Sequence, residues 1–417
     1  MKKLTALLLS AILILAACSA PAGESSQILS PGGSLEVDTL HPAESSALAY
    51  ALCDFTGEVF KRSFLESTEK GENVMVSPLS VMLALAMTAN GADTDTFTEM
   101  ESVLTDEWLE LEVLNRLLSA YTHNLPSTEM SKLNIANSIW FRDKGFTVND
   151  DFLGINSEFY AAEIRKAPFN KTTLNEINSW VSEKTDNMIE KIIDEISDET
   201  MMFLINAIAF DAEWQTHYST GQIKTRNFVT RDNAVMPTDF MHSNEYKYIE
   251  TDNATGFLKP YKDNHYSFMA LLPDENVTID DFIANIDSNL FLNLDSLVSD
   301  EKVVTAMPKF KFDYTIVMND LLKSMGMPKA FSGEADFSKL GKSDSGNIFI
   351  SEVLHKTFIE VDERGTRAGA ATSVDVTLTA SLDEPKIVTL DRPFVFAIID
   401  NDTNLPIFIG SLLEIPE

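Results

Sequence analysis

Side chains that could act as nucleophiles, bases or metal ligands are scattered along this chain of 417 residues. The histidines stand at positions 41, 123, 217, 242, 265 and 355. The sequence has no H-E-x-x-H or C-x-x-C pair, no G-x-S-x-G elbow and no phosphate-binding glycine loop. Its 64 carboxylates do not exclude a catalytic pair, but nothing singles one out. We therefore predict no enzyme activity, no metal and no cofactor, with a surface hydrolase as the remaining alternative.

Cys18 is the clearest site of covalent chemistry. A short basic start, Met1–Lys3, precedes the apolar run Leu4–Ala17, and Leu15-Ala16-Ala17-Cys18 resembles a bacterial lipobox. We expect a lipoprotein signal peptide at 1–17 and lipidation of Cys18, the alternative being a plain secretory signal. Acyl burial contributes about 0.8 kcal/mol per CH2, so several chains anchor stably. The protein is then exported and lipid-anchored at the cell surface or outer membrane face, or shed from it.

The rest of the chain divides into a tether and one domain. Prolines and glycines over 18–44 predict a flexible tether. An apolar helical stripe begins near Ser45, and a hydrophobic content of 44% is enough for one large core over 45–417. Once Cys18 is lipidated, Cys53 is the sole thiol, so no internal disulfide is expected.

The net charge of the chain limits which molecules it can bind. The formal net charge is −32, and loss of Lys2 and Lys3 with the signal peptide lowers it by two, to −34. Phosphate backbones and anionic lipid heads are disfavoured partners for such a chain. We therefore expect no nucleic acid, and contact with a membrane only through the lipid anchor.

The stretch from Val361 to Ala380 alternates like a strand. From Thr366 to Leu378 the even-numbered positions are small and then apolar, while most odd-numbered positions are polar. Alternation of this kind puts one set of side chains on one face of a sheet. The first of these side chains supply little apolar area, so they suit a strand that enters a packed sheet better than a permanent core strand. An ordinary hairpin strand is the alternative interpretation.

At these residues the chain resembles the serpin family. The family's hinge pattern is an acidic residue, a variable one, Gly, Thr or Ser, a variable one, and then small residues. The positions that match it or continue its small-residue run are Glu363, Gly365, Thr366, Ala368, Gly369, Ala370, Ala371 and Thr372. Downstream, the segments 391–396 and 406–410 resemble the family's strands that follow the loop.

The resemblance covers roughly 370 residues and implies a fold. Helices dominate the first half of the pattern and strands the second half, which favours an α+β class. The resemblance implies a serpin fold, with several helices packed on a large mixed five-stranded sheet, smaller sheets, and an exposed reactive-centre loop at about 363–390.

The resemblance also implies an activity, inhibition of serine proteases as a suicide substrate. The protease forms a covalent acyl complex and is trapped when the cleaved loop inserts into the sheet. In inhibitory members the acyl-side residue lies fourteen positions after the hinge glycine, which gives the bond Thr379–Ala380. Counting back from Pro393 gives Leu382 instead, and Leu378 also stays open.

Specificity follows from the residues around that bond. No Lys or Arg occurs between Gly369 and Pro385, which disfavours trypsin-like targets because their pocket pairs a cation with a buried carboxylate. Small and aliphatic residues indicate an elastase-like or subtilisin-like protease. A monomer is expected. A non-inhibitory serpin acting as a cell-surface binding protein is the alternative.

Two further groups of residues are implied by the resemblance alone. The "shutter" residues are Ser77, Ser80, Asn206 and His355. The "breach" residues, where the loop first enters the sheet, are Trp214, Lys309 and Glu363.

Overall fold

The structure is a computed structural model that describes residues 25–30, 40–68, 71–105, 109–198, 200–344, 346–366 and 385–416. Among these residues, none of the helices is both long and apolar enough to cross a membrane. Several predicted site residues lie outside the described residues. They are Cys18, the hinge residues from Ala368 to Thr372, and the reactive-bond candidates Leu378, Thr379, Ala380 and Leu382.

The start of one helix follows directly from its sequence. Ser77 caps the helix that starts at Pro78, because its side chain accepts a hydrogen bond from the backbone of Ser80 and proline suits the first turn. The described α-helices are α1 Pro42–Thr68, α2 Pro78–Ala89, α3 Thr94–Leu104, α4 Leu111–Asn124, α5 Asp150–Tyr160, α6 Lys171–Lys184, α7 Ile279–Ala284, α8 Asn289–Leu292, α9 Leu294–Leu297 and α10 Asn319–Met325.

Strands dominate after residue 200. The strands before that point are β1 Gln27–Ser30, β2 Val74–Val76, β3 Ser131–Arg142, β4 Phe146–Val148 and β5 Glu163–Ala167. The later strands are β6 Met202–Glu213, β7 Ile223–Val229, β8 Val235–Glu245, β9 Tyr248–Glu250, β10 Ala254–Pro260, β11 Tyr266–Pro273, β12 Val298–Ser299, β13 Val303–Pro308, β14 Phe310–Val317, β15 Gly341–Ser343, β16 Leu354–Val361, β17 Gly365–Thr366, β18 Lys386–Thr389, β19 Phe394–Asp400 and β20 Pro406–Leu412. The α+β prediction is confirmed.

The large sheet has seven strands in the order β1-β5-β3-β6-β17-β16-β14, where five were expected. It is mixed, since β3 and β5 are parallel and the other pairs are antiparallel. The two additional strands are short. One is β17 at the hinge, and the other is β1 at the edge.

Strand β1 corrects the expectation of a flexible tether at 27–30. It pairs antiparallel with β5. The preceding backbone N–H, that of Ser26, donates to the Glu176 carboxylate, and Arg165 donates to the Ser26 hydroxyl. Tertiary partners thus order a segment whose composition is that of a linker.

The remaining sheets supply much of the core. A second sheet has the order β12-β9-β10-β11-β19-β20-β2, and a four-stranded sheet has the order β18-β13-β8-β7. Strands β11, β19 and β20 are buried at every position, which matches their nearly continuous apolar sequence. Strand β18, the first after the loop, lies at a sheet edge parallel to β13. A small sheet pairs β15 with β4.

The sequence from Ile348 to Val361 predicts one long strand that leads into the hinge, but strand β16 begins only at Leu354. The intervening backbone makes other hydrogen bonds: Ile350 donates to Ala330, and Val353 donates to the Asn319 side chain.

Cys53 lies fully buried in α1, and burial raises the pKa of its thiol to about 12, so it is an inert core residue.

Candidate functional site

The hinge begins inside the large sheet. Residues Gly365 and Thr366 form β17 between β6 and β16, with Thr366 paired to Ala212 on one side and Val361 on the other. Thr366 is 3% exposed, and its hydroxyl shares a hydrogen bond of 2.6 Å with the Tyr261 hydroxyl. The first even-numbered position of the alternating run therefore faces the core.

Gly365 is required by lack of space. A Cβ at this position would lie 2.0 Å from the Ala212 carbonyl oxygen and 2.9 Å from the Glu213 Cα. Real Cβ atoms do not come so close to backbone. Glycine thus allows the hinge to lie directly against β6.

The turn that leads into the hinge is held by its own side chain. The Asp362 carboxylate accepts hydrogen bonds from the backbone N–H groups of Arg364, at 2.8 Å, and Gly365, at 3.1 Å. The Asp362 N–H in turn donates to the Gly365 carbonyl. Such an Asx-type arrangement stabilises a tight turn from within.

The same turn is also held from outside by two aromatic residues that follow β6. The Trp214 backbone N–H donates to the Arg364 carbonyl at 2.8 Å, and its indole Nε1 donates to the Asp362 carbonyl at 2.9 Å. The Tyr218 backbone N–H donates to the Glu363 carbonyl at 2.9 Å. Three successive carbonyls of the turn therefore depend on Trp214 and Tyr218.

The breach residues meet around this turn. The Lys309 ammonium lies 2.5 Å from the Glu363 carboxylate, and the hydrogen bond from Lys309 lowers the pKa of Glu363. Both side chains are about one-third exposed, so the pair contributes less than about 1 kcal/mol. Trp214 is fully buried and stacks on Tyr261 with 4.7 Å between ring centroids.

The shutter residues gather at the N-terminus of α2. The Ser77 N–H donates to His355 Nε2 at 3.0 Å, and the Ser80 hydroxyl donates to the Asn206 amide oxygen. The Asn206 amide nitrogen donates to the Asn137 amide oxygen at 2.8 Å. Ser77, Ser80, Asn206 and His355 each take part in at least one of these hydrogen bonds, and an unpaired buried polar group would cost about 1–3 kcal/mol.

His355 is neutral in this setting. Its side chain is buried, and burial lowers its pKa to about 4. A neutral imidazole can accept the Ser77 hydrogen bond through Nε2. The protein therefore uses His355 as a hydrogen-bond acceptor and not as a base.

The shutter is divided between two strands that are not neighbours. Asn206 lies on β6 and His355 on β16, and β17 stands between these strands in the sheet. Within the described part of the chain, the hydrogen bonds of these two side chains lead to α2 and to β3 rather than to each other. Helix α2 therefore fastens β6 and β16 separately.

Sequence reasoning missed several residues of the site. Tyr261, Tyr218 and Lys259 contact the hinge or its aromatic supports, and none carries a motif. Asn137 could have been found in the same way as Asn206, since both are amides within apolar strands. The two asparagines are direct partners in the β3–β6 ladder.

Comparisons with known proteins agree with this architecture. A family model described as Serpin (serine protease inhibitor) matches residues 50–415. An uncharacterised serpin-like protein of Thermococcus kodakarensis is 32% identical over 390 residues, which cover 90% of this chain and 88% of the relative. The crystal structure of a thermophilic serpin, tengpin, in the native state has a TM-score of 0.86 and 47% identity, and covers 94% of this chain and 100% of its own. The latent state of tengpin gives a TM-score of 0.80 with 48% identity, covering 91% and 100% of the two chains.

Proposed function

The chain belongs to the serpin family and has its fold, and we propose that it inhibits serine proteases as a suicide substrate. Members of this family are in general protease inhibitors rather than enzymes. In this mechanism the segment after the hinge is the substrate that the protease cleaves, and its insertion into the large sheet after cleavage traps the acyl-enzyme.

The observation that carries the proposal is the register of β17. Thr366 pairs with Ala212 on β6 and with Val361 on β16. If each antiparallel pairing is extended along the loop one residue at a time, Thr372 comes to lie opposite Asn206 on β6. The pairing with β16 places the same residue, Thr372, opposite His355. Two independent pairings thus converge on the shutter, which supports insertion of the loop between these strands.

The alternation of the loop agrees with this register. Since Thr366 faces the core, the even-numbered residues after it would face the core as well. They are first small, up to Thr372, and then apolar at Val374, Val376 and Leu378. Full burial of such an apolar side chain stabilises by about 1.5–3 kcal/mol.

A relative also adopts more than one state. Tengpin has been crystallised in states described as native and latent. A second stable arrangement is what a trap requires, because the uncut protein must hold free energy that cleavage releases.

The chemistry belongs to the protease. Its serine oxygen attacks the carbonyl carbon of Thr379, the peptide bond to Ala380 breaks, and the leaving nitrogen takes a proton from the catalytic histidine. The Thr379 acyl group stays esterified to the enzyme, and insertion carries the enzyme away before water can hydrolyse the ester. Leu378 and Leu382 are the alternative acyl positions.

The target class follows from the loop sequence. Small and aliphatic residues fit an elastase-like or subtilisin-like pocket. The acidic residues Asp375, Asp383 and Glu384 would draw in a protease with a basic surface faster than a neutral one.

The test uses the chain from residue 19 onward, mixed with elastase, subtilisin and trypsin and examined on a denaturing gel with mass analysis. The proposal expects a boiling-resistant band at the summed mass with elastase or subtilisin, and release of a peptide beginning at Ala380. Clipping with full protease activity left would refute inhibition and favour the binding-protein alternative. Faster trapping of trypsin would refute the target class.

Two variants separate insertion from cleavage. Thr372→Glu places a carboxylate at an inward position of the proposed register, and Ser373→Glu places the same group at the next, outward position. We expect Thr372→Glu to be cleaved without trapping, because a buried unpaired charge opposes insertion, while Ser373→Glu still traps. Equal behaviour of the two variants would contradict the register.

The location of the protein is a separate proposal. We propose that Cys18 is lipidated and that the inhibitor is held at the cell surface by this anchor. Labelling of cells with a radioactive fatty acid is expected to mark the protein, and Cys18→Ser is expected to abolish the label and release the chain. Equal labelling of both proteins would refute the assignment.

A further inference from the structure

A buried ion pair lies beneath the hinge and has no role in the mechanism described above. The Lys259 ammonium on β10 is 2.8 Å from the Glu245 carboxylate at the end of β8. Lys259 is 2% exposed and Glu245 is 7% exposed. Neither residue belongs to the shutter or the breach.

The ammonium rests against the two aromatic residues that hold the hinge turn. Lys259 Nζ lies 4.4 Å from the centroid of the Tyr218 ring and 5.3 Å from that of the Trp214 ring. A desolvated cation at this distance from an aromatic face is attracted to it strongly. Because the backbone amides of Trp214 and Tyr218 bind the carbonyls of Arg364 and Glu363, Lys259 supports the hinge turn through one intervening layer.

Glu245 links the Lys259 ammonium to β18, the strand that follows the loop. In the four-stranded sheet Glu245 pairs with Val303, and Val303 pairs on its other side with Lys386, the first residue of β18. The Ser243 hydroxyl donates to the Glu245 carboxylate at 2.6 Å and shares a hydrogen bond of 2.8 Å with Thr305. The ion pair therefore lies between the strand that follows the loop and the turn that precedes it.

Stability alone does not account for this pair. Burial opposes the charge on Lys259, but Glu245 and Tyr218 raise the pKa of the ammonium above its usual value, so it stays charged. Exchange of a buried ion pair for uncharged residues of similar volume is often neutral or stabilising in proteins.

We propose that the Lys259 ammonium, held by Glu245, is a positioning group for the hinge. It fixes the rings of Trp214 and Tyr218, whose amides hold the 362–365 turn, and so sets how readily the loop begins to insert. The effect on insertion rests on the proposed inhibitory function. The effect on the hinge turn does not.

The first test is amide hydrogen exchange in the uncut chain. Lys259→Met with Glu245→Gln removes the cation without leaving a lone charge, while Lys259→Arg alone keeps a cation paired with Glu245 at this position. We expect the amides of Trp214 and Tyr218 to exchange about tenfold faster in the double variant and to change less than about threefold in the single variant.

A control pair and a second variant keep the test decisive. Arg231→Met with Asp280→Asn removes the ion pair that joins the turn after β7 to α7 and is expected to leave the hinge amides unchanged. If the first double variant does not fold, Lys259→Gln with Glu245→Gln replaces it with a hydrogen-bonding uncharged pair. Unchanged exchange at Trp214 and Tyr218 in a folded variant without the cation would overturn the proposal.

The second test concerns trapping. Lys259→Met with Glu245→Gln is expected to raise the number of inhibitor molecules consumed per trapped protease about threefold or more, with an association rate within about twofold of the unchanged chain. A slower association with unchanged consumption would contradict a role in insertion. If the unchanged chain traps no protease, the inhibitory function fails, and the exchange experiment still decides the role of Lys259.

Discussion

Replacement of Gly365 by alanine tests whether the hinge must lie in the sheet before cleavage. The added Cβ would be 2.0 Å from the Ala212 carbonyl oxygen. Ordinary contacts of this kind begin near 3.4 Å, so the hinge has to move away from β6 by 3.4 − 2.0 = 1.4 Å. The collision is with backbone on a central strand, which cannot rotate aside as a side chain would.

The free-energy cost follows from the hydrogen bonds that this movement breaks. A ladder bond of about 2.9 Å stretched by 1.4 Å no longer meets the geometric criterion. The change removes the pairing of Gly365 with Glu213 and of Thr366 with Ala212, and also the bond between the hydroxyls of Thr366 and Tyr261. Three such bonds contribute about 2–4 kcal/mol together. The population of the inserted hinge should fall by roughly 30-fold to 700-fold.

The assay compares Gly365→Ala with Gly333→Ala, the same chemical change at a glycine with no atom within 4 Å of its added Cβ. Hydrogen exchange at the Trp214 and Tyr218 amides is expected to accelerate in Gly365→Ala alone. The same variant should be cleaved by elastase with almost no trapping, because insertion becomes slow relative to hydrolysis. Trapping at the unchanged stoichiometry by Gly365→Ala would refute the reasoning that the preformed hinge starts insertion.

Three further predictions concern the shutter and the breach. Burial lowers the pKa of His355 from 6.5 to about 4, so the unfolded chain binds the extra proton between these values. The contribution of neutral His355 to stability is therefore complete above pH 6.5 and is lost toward pH 4, by up to about 3 kcal/mol. If the thermal midpoints of the natural chain and of His355→Gln fall in parallel between pH 7 and pH 5, this prediction is contradicted. Ser80→Ala leaves the Asn206 oxygen without its donor and should destabilise the uncut protein by about 1–3 kcal/mol. The control Ser46→Ala removes an exposed hydroxyl and should leave the stability unchanged. Equal thermal midpoints of the two variants would argue against the hydrogen bond between Ser80 and Asn206. Lys309→Met removes a partly exposed ion pair and should change the free energy of unfolding by less than about 1 kcal/mol; a loss as large as that of Ser80→Ala would show that this pair is stronger than its exposure indicates.

Long apolar segments were predictable from the sequence. The nearly continuous apolar run 201–214 predicts a central strand and matches β6 to within one residue, because a segment covered on both faces needs apolar side chains throughout. The segment 406–410 lies within β20, whereas the segment 391–396 begins three residues before β19. The α+β class follows from these elements. Fully buried segments can therefore be recognised from their apolar amino-acid composition.

Short strands were not predictable, because their partners define them. Strand β17 has two residues, too few to show alternation by themselves, and β1 has four, which is the shortest run that can show it. Strand β1 forms where Ser26 meets Glu176, which is distant in the chain. The late start of β16 has the same cause, since Val353 bonds to Asn319 instead of a strand.

The residues of the site were likewise only partly predictable from the sequence. Ser77, Asn206 and His355 are far apart in the sequence, and only the family resemblance grouped them in advance. Lys259 and Tyr261 carry no local signal, since one lysine or tyrosine in a strand has many ordinary explanations. Their role depends on which strands pack together, and local sequence does not contain that information.

The distribution of side chains in the loop separates the timing of insertion from its driving force. Ordering one residue costs about 1–2 kcal/mol of backbone entropy, and ladder bonds of about 0.5–1.5 kcal/mol each offset it only approximately. The small residues from Ala368 to Thr372 would therefore enter the sheet with little net change in free energy. Net stabilisation has to come from Val374, Val376 and Leu378, at about 1.5–3 kcal/mol for each buried side chain. In the proposed mechanism the hinge thus determines when insertion begins, and the far end of the loop determines whether it is irreversible. Changes at Lys259 should then alter the yield of trapped protease with little effect on the stability of the cleaved form, while polar substitutions at Val376 or Leu378 should do the reverse.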